Sequence, residues 1–265
     1  MDLELTDHVA VVTGAARGLG LAIASAFANE GARAVLVDRD PEVESAARRL
    51  GGKAEGAVVD VTDAEAVRGL ASALRGRLGR VDHVVHAAAV GSGKFGFPFW
   101  SLDPADWERV VRVNLLGAVH VAHAFGPEMA AERSGTLLFI ASVAGQIGSQ
   151  TDPPYSASKA GLINFAQCAA RDLAPFGVRV NTVCPGMVRT TLNRSVYDAW
   201  AARQPAGEQM TYETWADDKV RKLVPLGRWQ EPEDIAAMVV FLASPRAHNV
   251  TGQTVNVDGG YVMHC

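Results

Sequence analysis

The fold is decided by the octapeptide Thr13-Gly14-Ala15-Ala16-Arg17-Gly18-Leu19-Gly20, which lies between an apolar run and an alanine-rich segment. Residues 8–13 before it are typical of a buried β-strand, and residues 18–30 are typical of a helix. Glycine lets the backbone approach a phosphate closely, and a helix N-terminus offers free N–H groups and a favourable dipole. The octapeptide therefore predicts a cradle for a dinucleotide pyrophosphate, contacted by Gly14, Arg17, Gly18, Leu19 and Gly20. A tight turn that only packs the helix on the strand is the alternative.

Outward from this turn, short apolar runs alternate with longer segments of helical periodicity. Strands of this kind are buried on both faces, so the alternation predicts an α/β fold with a doubly wound, Rossmann-like parallel sheet and helices on both faces. Leu192–Leu226 interrupts the alternation, and we interpret it as a substrate-loop insertion at about 191–226 in a single domain of residues 1–265. The predicted strands are 8–13, 33–38, 53–59, 81–87, 135–141, 178–183 and 251–257, and the predicted helices are 18–30, 41–50, 63–78, 104–131, 155–174 and 232–243.

The composition restricts the partners and the location of the protein. The chain has 265 residues, 48% of them hydrophobic, and a formal net charge of −4 without a run of lysines or arginines. Neither nucleic acid nor a membrane is therefore an expected partner. Three cysteines at distant positions predict neither a disulfide framework nor a metal site. Together with the acidic start of the sequence, they favour the cytoplasm.

An acidic residue ends the second predicted strand. Asp38 stands where a carboxylate bonds the ribose hydroxyls of NAD in dinucleotide-binding folds. The same carboxylate would repel the 2′-phosphate of NADP, so NAD is the predicted cofactor. Arg17 and Arg39 offer partners for such a phosphate, and they keep NADP as the alternative. For Asp38 itself, a role in capping a helix or a turn is the structural alternative.

Tyr155 and Lys159 form the candidate catalytic pair. Their spacing places both side chains on one face of a helix. A free tyrosine has a pKa of about 10 and a nearby ammonium favours the phenolate, so Lys159 is expected to lower the pKa of Tyr155. Such a tyrosine can take the proton of an alcohol while a hydride leaves the carbon, or return it in the reverse reaction. Taken alone, the pair also fits an exposed helix face.

Further motifs in a fixed order change that interpretation. They are Asn114 in Val-Asn-Leu-Leu-Gly, Ser142 after the fifth strand, Pro185-Gly186 after the sixth, and the C-terminal stretch Gly252–Gly260. With the glycine turn and the Tyr155/Lys159 pair, they resemble the short-chain dehydrogenase/reductase family over essentially the whole chain. The resemblance implies about seven parallel strands, hydride transfer with NAD(P), and a homotetramer or homodimer that pairs through helices 104–131 and 155–174.

The resemblance also implies a role for individual residues. Ser142 resembles the serine that hydrogen-bonds the substrate oxygen, Tyr155 the acid/base, and Lys159 the lysine that holds the nicotinamide ribose. Asn114 resembles the asparagine at a helix kink that holds a water in a proton relay to that lysine. The remaining cofactor contacts that the resemblance implies are Asp60, Val61, Ala87, Ala88, Pro185, Gly186, Val188 and Thr190.

The chain departs from the family pattern after the fourth strand. Family members commonly have Asn-Asn-Ala-Gly there, whereas this chain has His86-Ala87-Ala88-Ala89. Ala87 lacks the amide that ties neighbouring strands, and Ala89 adds a methyl group near the expected ribose. Backbone contacts at Ala87 and Ala88 need no side chain, so both stay predicted contacts. His86 is expected to have a buried packing or hydrogen-bonding role.

Two segments are expected to line the substrate pocket, and both are rich in aromatic residues. Their aromatics either shape the site or anchor a lid to the core. They are Phe95, Phe97, Phe99 and Trp100 in Gly91–Asp103, and Tyr197, Trp200, Tyr212 and Trp215 in Leu192–Leu226.

The long second segment and the C-terminal sequence resemble family members that act on polyols, sugars and similar secondary alcohols. A small molecule of that kind is therefore the predicted substrate. A 3-oxoacyl-[acyl-carrier-protein] reductase that uses NADPH is one alternative. A non-catalytic NAD(H)-binding sensor is an alternative of another class, and the intact set of Ser142, Tyr155 and Lys159 argues against it because sensing needs no tuned phenol.

Overall fold

The computed structural model describes residues 2–94, 98–148, 152–205, 207–208 and 210–263. Its strands are β1 (Val9–Thr13), β2 (Arg33–Asp38), β3 (Glu55–Val58), β4 (His83–His86), β5 (Thr136–Ile140), β6 (Arg179–Pro185) and β7 (Thr254–Val257). They form one seven-stranded sheet in the order β3-β2-β1-β4-β5-β6-β7, and all neighbouring strands pair in parallel. The predicted doubly wound parallel sheet is thereby confirmed.

Helices cover both faces of this sheet. They are α1 (Gly18–Asn29), α2 (Glu42–Leu50), α3 (Ala64–Leu78), α4 (Ala105–Val111), α5 (Gly117–Glu132), α6 (Pro153–Leu173), α7 (Thr191–Ala201), α8 (Tyr212–Leu223) and α9 (Pro232–Ala243). One apolar core joins α1, α2 and α9 to the sheet, and a second core joins α3, α5 and α6 to the opposite face. Across the described ranges, no helix has both the length and the apolar character that crossing a bilayer requires.

The strand order reverses between β1 and β4. The chain runs from β1 outward through β2 to β3 and then returns to pair β4 with the other side of β1. In open α/β sheets, a crevice forms beyond the carboxyl ends of the strands at such a switch point. The glycine turn follows β1 directly, so the topology places it at this crevice.

The predicted helix over 104–131 is observed as a helical segment with an interruption at Asn114, where the resemblance implied a kink. The segment consists of α4, a π-helical turn at Arg112–Leu116, and α5. A π-turn inserts an extra residue into the helical ladder, and such turns occur often at functional sites. The region from 192 to 226 is also more regular than the sequence pattern indicates, because it contains α7 and α8.

Arg179 at the start of β6 secures the end of α9. Its guanidinium donates to the carbonyl oxygens of Leu242, Ala243 and Ser244 at 2.6, 3.0 and 3.0 Å. These carbonyls lack helical partners at the C-terminus of a helix, and a cation there also interacts favourably with the helix dipole. The contact fixes α9 against the sheet near β7.

Candidate active site

A cleft of about 620 Å³ lies at the carboxyl ends of the central strands. Its volume is in the range of sites that bind cofactors and small ligands. Every residue predicted to contact the cofactor lines it: Gly14, Arg17, Gly18, Leu19, Gly20, Asp38, Asp60, Val61, Ala87, Ala88, Tyr155, Lys159, Pro185, Gly186, Val188 and Thr190. Ser142 lines it as well, whereas Asn114 is fully buried behind the wall.

The glycine turn is built for close approach of the backbone. Gly14 has a φ of +70°, and a Cβ atom there would lie 2.7 Å from the Cα and N atoms of Ala88. The N–H groups of Ala87 and Ala88 donate to Thr13 Oγ1 at 3.2 and 3.3 Å. Thr13 therefore ties β1 to the end of β4, a link that Ala87 cannot make through a side chain.

The N-terminus of α1 opens into the same cleft. Arg17 is its N-cap residue, and no side chain in the described part of the chain caps the first turn. The backbone N–H groups of that turn therefore have no side-chain partner, as an anion-binding helix N-terminus requires. The residues present thus fit the pyrophosphate of a nicotinamide dinucleotide.

The Asp38 carboxylate is held by two backbone donors at the end of β2. It accepts from the N–H of Ala16 at 3.1 Å and from the N–H of Asp40 at 3.0 Å. Asp40 in turn pairs with Arg17 at 2.9 Å. Arg39 lines the cleft nearby and forms no ion pair among the residues that the structure describes. One of the two arginines near the expected ribose is thus already paired with a carboxylate.

The candidate catalytic side chains converge from two elements. Ser142 follows β5 and its side chain hydrogen-bonds Tyr155, which lies in the first turn of α6. A Cβ atom at Gly145 would lie 2.7 Å from the backbone carbonyl carbon of Lys159, so only glycine permits this turn to lie against α6. The structure therefore brings Ser142, Tyr155 and Lys159 together.

The pKa of Tyr155 departs from the expectation. Burial raises it to about 12, and the hydrogen bond with Ser142 offsets only part of that increase. Lys159 is not among the groups that shift the pKa of Tyr155 in the chain without a cofactor. Its ammonium donates to the carbonyl oxygen of Ile140 at 2.7 Å. Burial lowers the pKa of Lys159 itself to about 8. The chain without a cofactor shows no lowering of the Tyr155 pKa by Lys159, and that lowering stays a prediction for the complex with NAD.

Asn114 lies in the π-turn and connects three segments. Its Oδ1 accepts from the N–H of Val90 at 2.8 Å, while its Nδ2 donates to the Val90 carbonyl oxygen and to Ser158 Oγ, both at 3.0 Å. The side chain thereby holds the loop after β4 beside α6. The water relay implied for Asn114 stays a prediction.

His86 is fully buried, as expected. Its Nδ1 lies 3.1 Å from Thr13 Oγ1, while Nε2 has no hydrogen-bond partner among the residues that the structure describes. Burial lowers its pKa to about 3, and the nearby Lys159 contributes to the decrease. His86 is therefore neutral at physiological pH, which fits a packing and hydrogen-bonding role.

The aromatic residues near the cleft have different roles. Phe99 and Trp100 are exposed, pack on each other and do not line the cleft, so the expectation that they line the pocket was wrong. Phe95 and Phe97 lie outside the described residues. The rings of Tyr197, Trp200, Tyr212 and Trp215 form one cluster between α7 and α8. Within that cluster, Trp215 lines the cleft, and the other rings anchor the two helices.

Two charged cleft residues had no sequence motif to identify them. Asp152 caps α6 by accepting from Tyr155 N at 3.4 Å, and its other oxygen accepts from Ser92 N at 2.9 Å. Lys219 lies on the inner face of α8. A proline pair next to Asp152 was the available signal for a helix start, whereas a single lysine on an amphipathic helix gives none.

Several known proteins are similar to this chain in sequence and in fold. Residues 14–262 match the family model described as "Enoyl-(Acyl carrier protein) reductase". D-threitol dehydrogenase of Mycolicibacterium smegmatis is 36% identical, over 99% of this chain and 95% of that protein. A 3-oxoacyl-[acyl-carrier-protein] reductase of Thermotoga maritima is 32% identical, over 98% and 100%. The structure of L-sorbose reductase from Gluconobacter frateurii, in complex with NADPH and L-sorbose, has a TM-score of 0.89 and 29% identity over 100% of both chains. The chain belongs to the short-chain dehydrogenase/reductase family.

Membership of the short-chain dehydrogenase/reductase family makes this protein an NAD(P)-dependent oxidoreductase that acts on CH–OH groups. The family supplies the reaction class, and the cleft supplies the residues that can carry it out.

Proposed function

We propose that the protein transfers a hydride between NAD(H) and a secondary alcohol or ketone of the polyol and sugar class, with Tyr155 as the acid/base. The observation that carries this proposal is the convergence of Ser142, Tyr155 and Lys159 in the cleft that also contains the glycine turn. The similarity to D-threitol dehydrogenase and L-sorbose reductase supports the substrate class.

Each side chain of the catalytic set has a distinct task. Ser142 hydrogen-bonds the substrate oxygen and stabilises the charge that develops on it. Tyr155 accepts the alcohol proton during oxidation and donates it during reduction. A bound nicotinamide ring supplies the site that accepts or donates the hydride. Lys159 provides positive charge near Tyr155, since its Nζ lies 5.6 Å from the centre of the tyrosine ring. Asn114 positions α6 through Ser158.

NAD is the proposed cofactor, and Asp38 is the reason. Two backbone N–H groups hold its carboxylate at the end of β2, where a 2′-phosphate would meet a like charge. The competing argument is that L-sorbose reductase was solved with NADPH and that Arg39 lines the cleft. Arg17 weakens that argument, because it already pairs with Asp40.

A 3-oxoacyl-[acyl-carrier-protein] reductase that uses NADPH is the second candidate, supported by the Thermotoga maritima relative. Asp38 argues against this candidate, because its carboxylate would repel the 2′-phosphate of NADPH. A non-catalytic NAD(H) sensor is the third candidate. The hydrogen-bonded pair of Ser142 and Tyr155 argues against it, because sensing needs no acid/base.

We also propose that the protein works as a homotetramer or homodimer in the cytoplasm, with α7 and α8 as the lid of a single catalytic domain. Leu116, between α4 and α5, has 45% of its surface exposed, which suits an interface between copies of the chain. Cys168 and Cys184 are free, as in a reducing compartment. Light scattering during gel filtration measures the assembly.

The proposed activity is tested by NADH formation from NAD⁺ with polyols, sugars and cyclic secondary alcohols. Parallel reactions contain NADP⁺, or NADPH with a 3-oxoacyl thioester, and Tyr155→Phe is the control. We expect alcohol-dependent NADH formation that the variant lacks. Activity confined to NADPH and the thioester would establish the second candidate instead. Tight NADH binding without turnover of any substrate would favour the sensor.

A further inference from the structure

Helix α8 turns one face toward the substrate side of the cleft. Trp215, Lys219 and Leu223 are spaced by four residues and all line the cleft. The Nζ of Lys219 lies 4.1 Å from the centre of a ring of Trp215. Burial lowers the pKa of Lys219, which means that its surroundings disfavour the charged form. A cation thus sits in a partly buried wall of the pocket.

Lys219 differs from the other cations of this region in having no counter-ion. Arg194 pairs with Asp198 at 3.4 Å, and Arg189 pairs with Glu231 at 3.4 Å. Lys219 forms no hydrogen bond or ion pair with any residue that the structure describes, and no carboxylate contributes to its pKa. Holding an unpaired charge in such a place is unfavourable. A ligand that brings an anion to Lys219 removes this penalty and gains affinity.

The anion in question is not a phosphate of the cofactor. The pyrophosphate cradle follows β1, and Asp38 marks the ribose end on β2. The chain after α8 instead packs against the segment that follows β7, since Leu226 N donates to the Gly259 carbonyl oxygen at 3.0 Å. β2 and β7 are on opposite sides of β1 in the sheet. Lys219 therefore lies at the far end of the cleft from the adenosine.

Asp152 determines which end of a substrate would reach Lys219. Its carboxylate lines the cleft close enough to Tyr155 to raise the tyrosine pKa. A second anion next to the reacting carbon would be repelled there, whereas hydroxyl groups could donate to the carboxylate. The charged group of a substrate thus belongs away from the reacting carbon.

We propose that Lys219 is a specificity-determining residue that binds an anionic group, carboxylate or phosphate, at the end of a polyhydroxy substrate remote from the oxidised carbon. This inference rests on the proposed function and narrows its substrate class to sugar acids or phosphorylated sugar alcohols.

The test compares matched substrates with NAD⁺: a hexitol, the aldonate of the same carbon number, and the hexitol monophosphate. The enzymes are the wild type, Lys219→Met, Lys219→Arg and, as the matched control, Lys222→Met. Lys222 is on the outer side of α8 and pairs with Asp218 at 2.7 Å. We expect the wild type to prefer one anionic substrate to the neutral hexitol. Lys219→Met should lower kcat/KM for that substrate by about 10- to 100-fold, mainly through KM, and leave the hexitol within about twofold. Lys219→Arg should retain the preference, and Lys222→Met should change nothing.

The test distinguishes carboxylate from phosphate binding. The group that Lys219 binds is that of the substrate whose kcat/KM, relative to the hexitol, falls in Lys219→Met. A preference for the neutral hexitol in the wild type, or an equal loss for all substrates in Lys219→Met, would overturn the inference while the polyol activity stands. Calorimetry provides a readout without turnover: aldonate and hexitol monophosphate are titrated into Tyr155→Phe with NADH, with and without Lys219→Met. If the anions bind in a Lys219-dependent way but the wild type oxidises no alcohol, the anion site at Lys219 is supported and the proposed function is refuted.

Discussion

The ammonium group of Lys159 lies 5.6 Å from the centre of the Tyr155 ring, yet it donates its hydrogen bond to the backbone at Ile140. The lysine is thus close to the phenol without contacting its hydroxyl through a bond that the structure records. In the proposed complex with the cofactor, its contribution to Tyr155 is one of charge over a distance, which depends on the lysine being protonated.

The first prediction concerns the pH dependence of both reaction directions. Because burial raises the pKa of Tyr155 to about 12, the phenol form dominates at neutral pH. Oxidation needs the phenolate, so its rate should rise with pH, whereas reduction needs the phenol and should slow as pH rises through the apparent pKa of the ternary complex. The measurement is kcat in each direction from about pH 6 to 10. Tyr155→Phe should lose about 10²- to 10⁴-fold in both directions. An oxidation rate that is flat across this range would contradict the assignment.

The second prediction concerns cofactor choice. Asp38→Asn keeps one side-chain oxygen, which can accept from the N–H of either Ala16 or Asp40, and removes the charge that repels a 2′-phosphate. We expect the ratio of kcat/KM for NADP⁺ to kcat/KM for NAD⁺ to rise by about tenfold. Steady-state kinetics with both cofactors measure the ratio, and Asp63→Asn, at the exposed cap of α3, is the control. No change in the ratio would count against Asp38 as the discriminating residue.

The third prediction concerns the glycine turn. Gly14→Ala should weaken cofactor binding and destabilise the fold, because its φ of +70° is unfavourable for alanine and the new Cβ would collide with Ala88. The strain alone costs about 1–2 kcal/mol. Gly69→Ala is the matched control, since Gly69 lies in α3 and a Cβ there meets nothing within 4 Å. That variant should gain about 0.5–1 kcal/mol. Urea unfolding and NADH titration report both effects, and equal stability of the two variants would refute the argument.

The fourth prediction concerns Asn114. Asn114→Ala leaves the N–H and the carbonyl of Val90 without their side-chain partner, and an unsatisfied buried group costs about 1–3 kcal/mol. We expect a lower free energy of unfolding and a lower kcat, because α6 loses its bond through Ser158. Asn114→Ser tests whether a smaller polar group restores either property. A full kcat with reduced stability would limit Asn114 to a structural role.

The sequence carried most of the information on the sheet and the cofactor half of the cleft. Apolar runs mark buried strands, and Gly14, Asp38, Tyr155 and Lys159 stand at spacings that backbone geometry imposes on a dinucleotide site. The strand ends differ by a few residues from the structure, as for β3, where the predicted 53–59 is observed as Glu55–Val58.

The parts that escaped prediction depend on tertiary contacts. The resemblance implied a kink at Asn114, but not the bonds of its side chain to Val90 and Ser158, which lie in distant parts of the sequence. Lys219 and Asp152 acquire their significance from burial beside the cleft, which a linear sequence does not display. For Phe99 and Trp100 the sequence predicted too much. Their aromatic character indicated a pocket wall, whereas the structure shows two exposed rings that pack on each other.

The bonds from Arg179 to the end of α9 also bear on biosynthesis. Arg179 leaves the ribosome well before Leu242, Ala243 and Ser244, which supply the carbonyl oxygens that it binds. During translation, its guanidinium lacks these partners until residues 242–244 have emerged. The far edge of the sheet can therefore be completed only after α9 has been synthesised, and a nascent chain stalled before residue 242 would present that edge to chaperones and proteases.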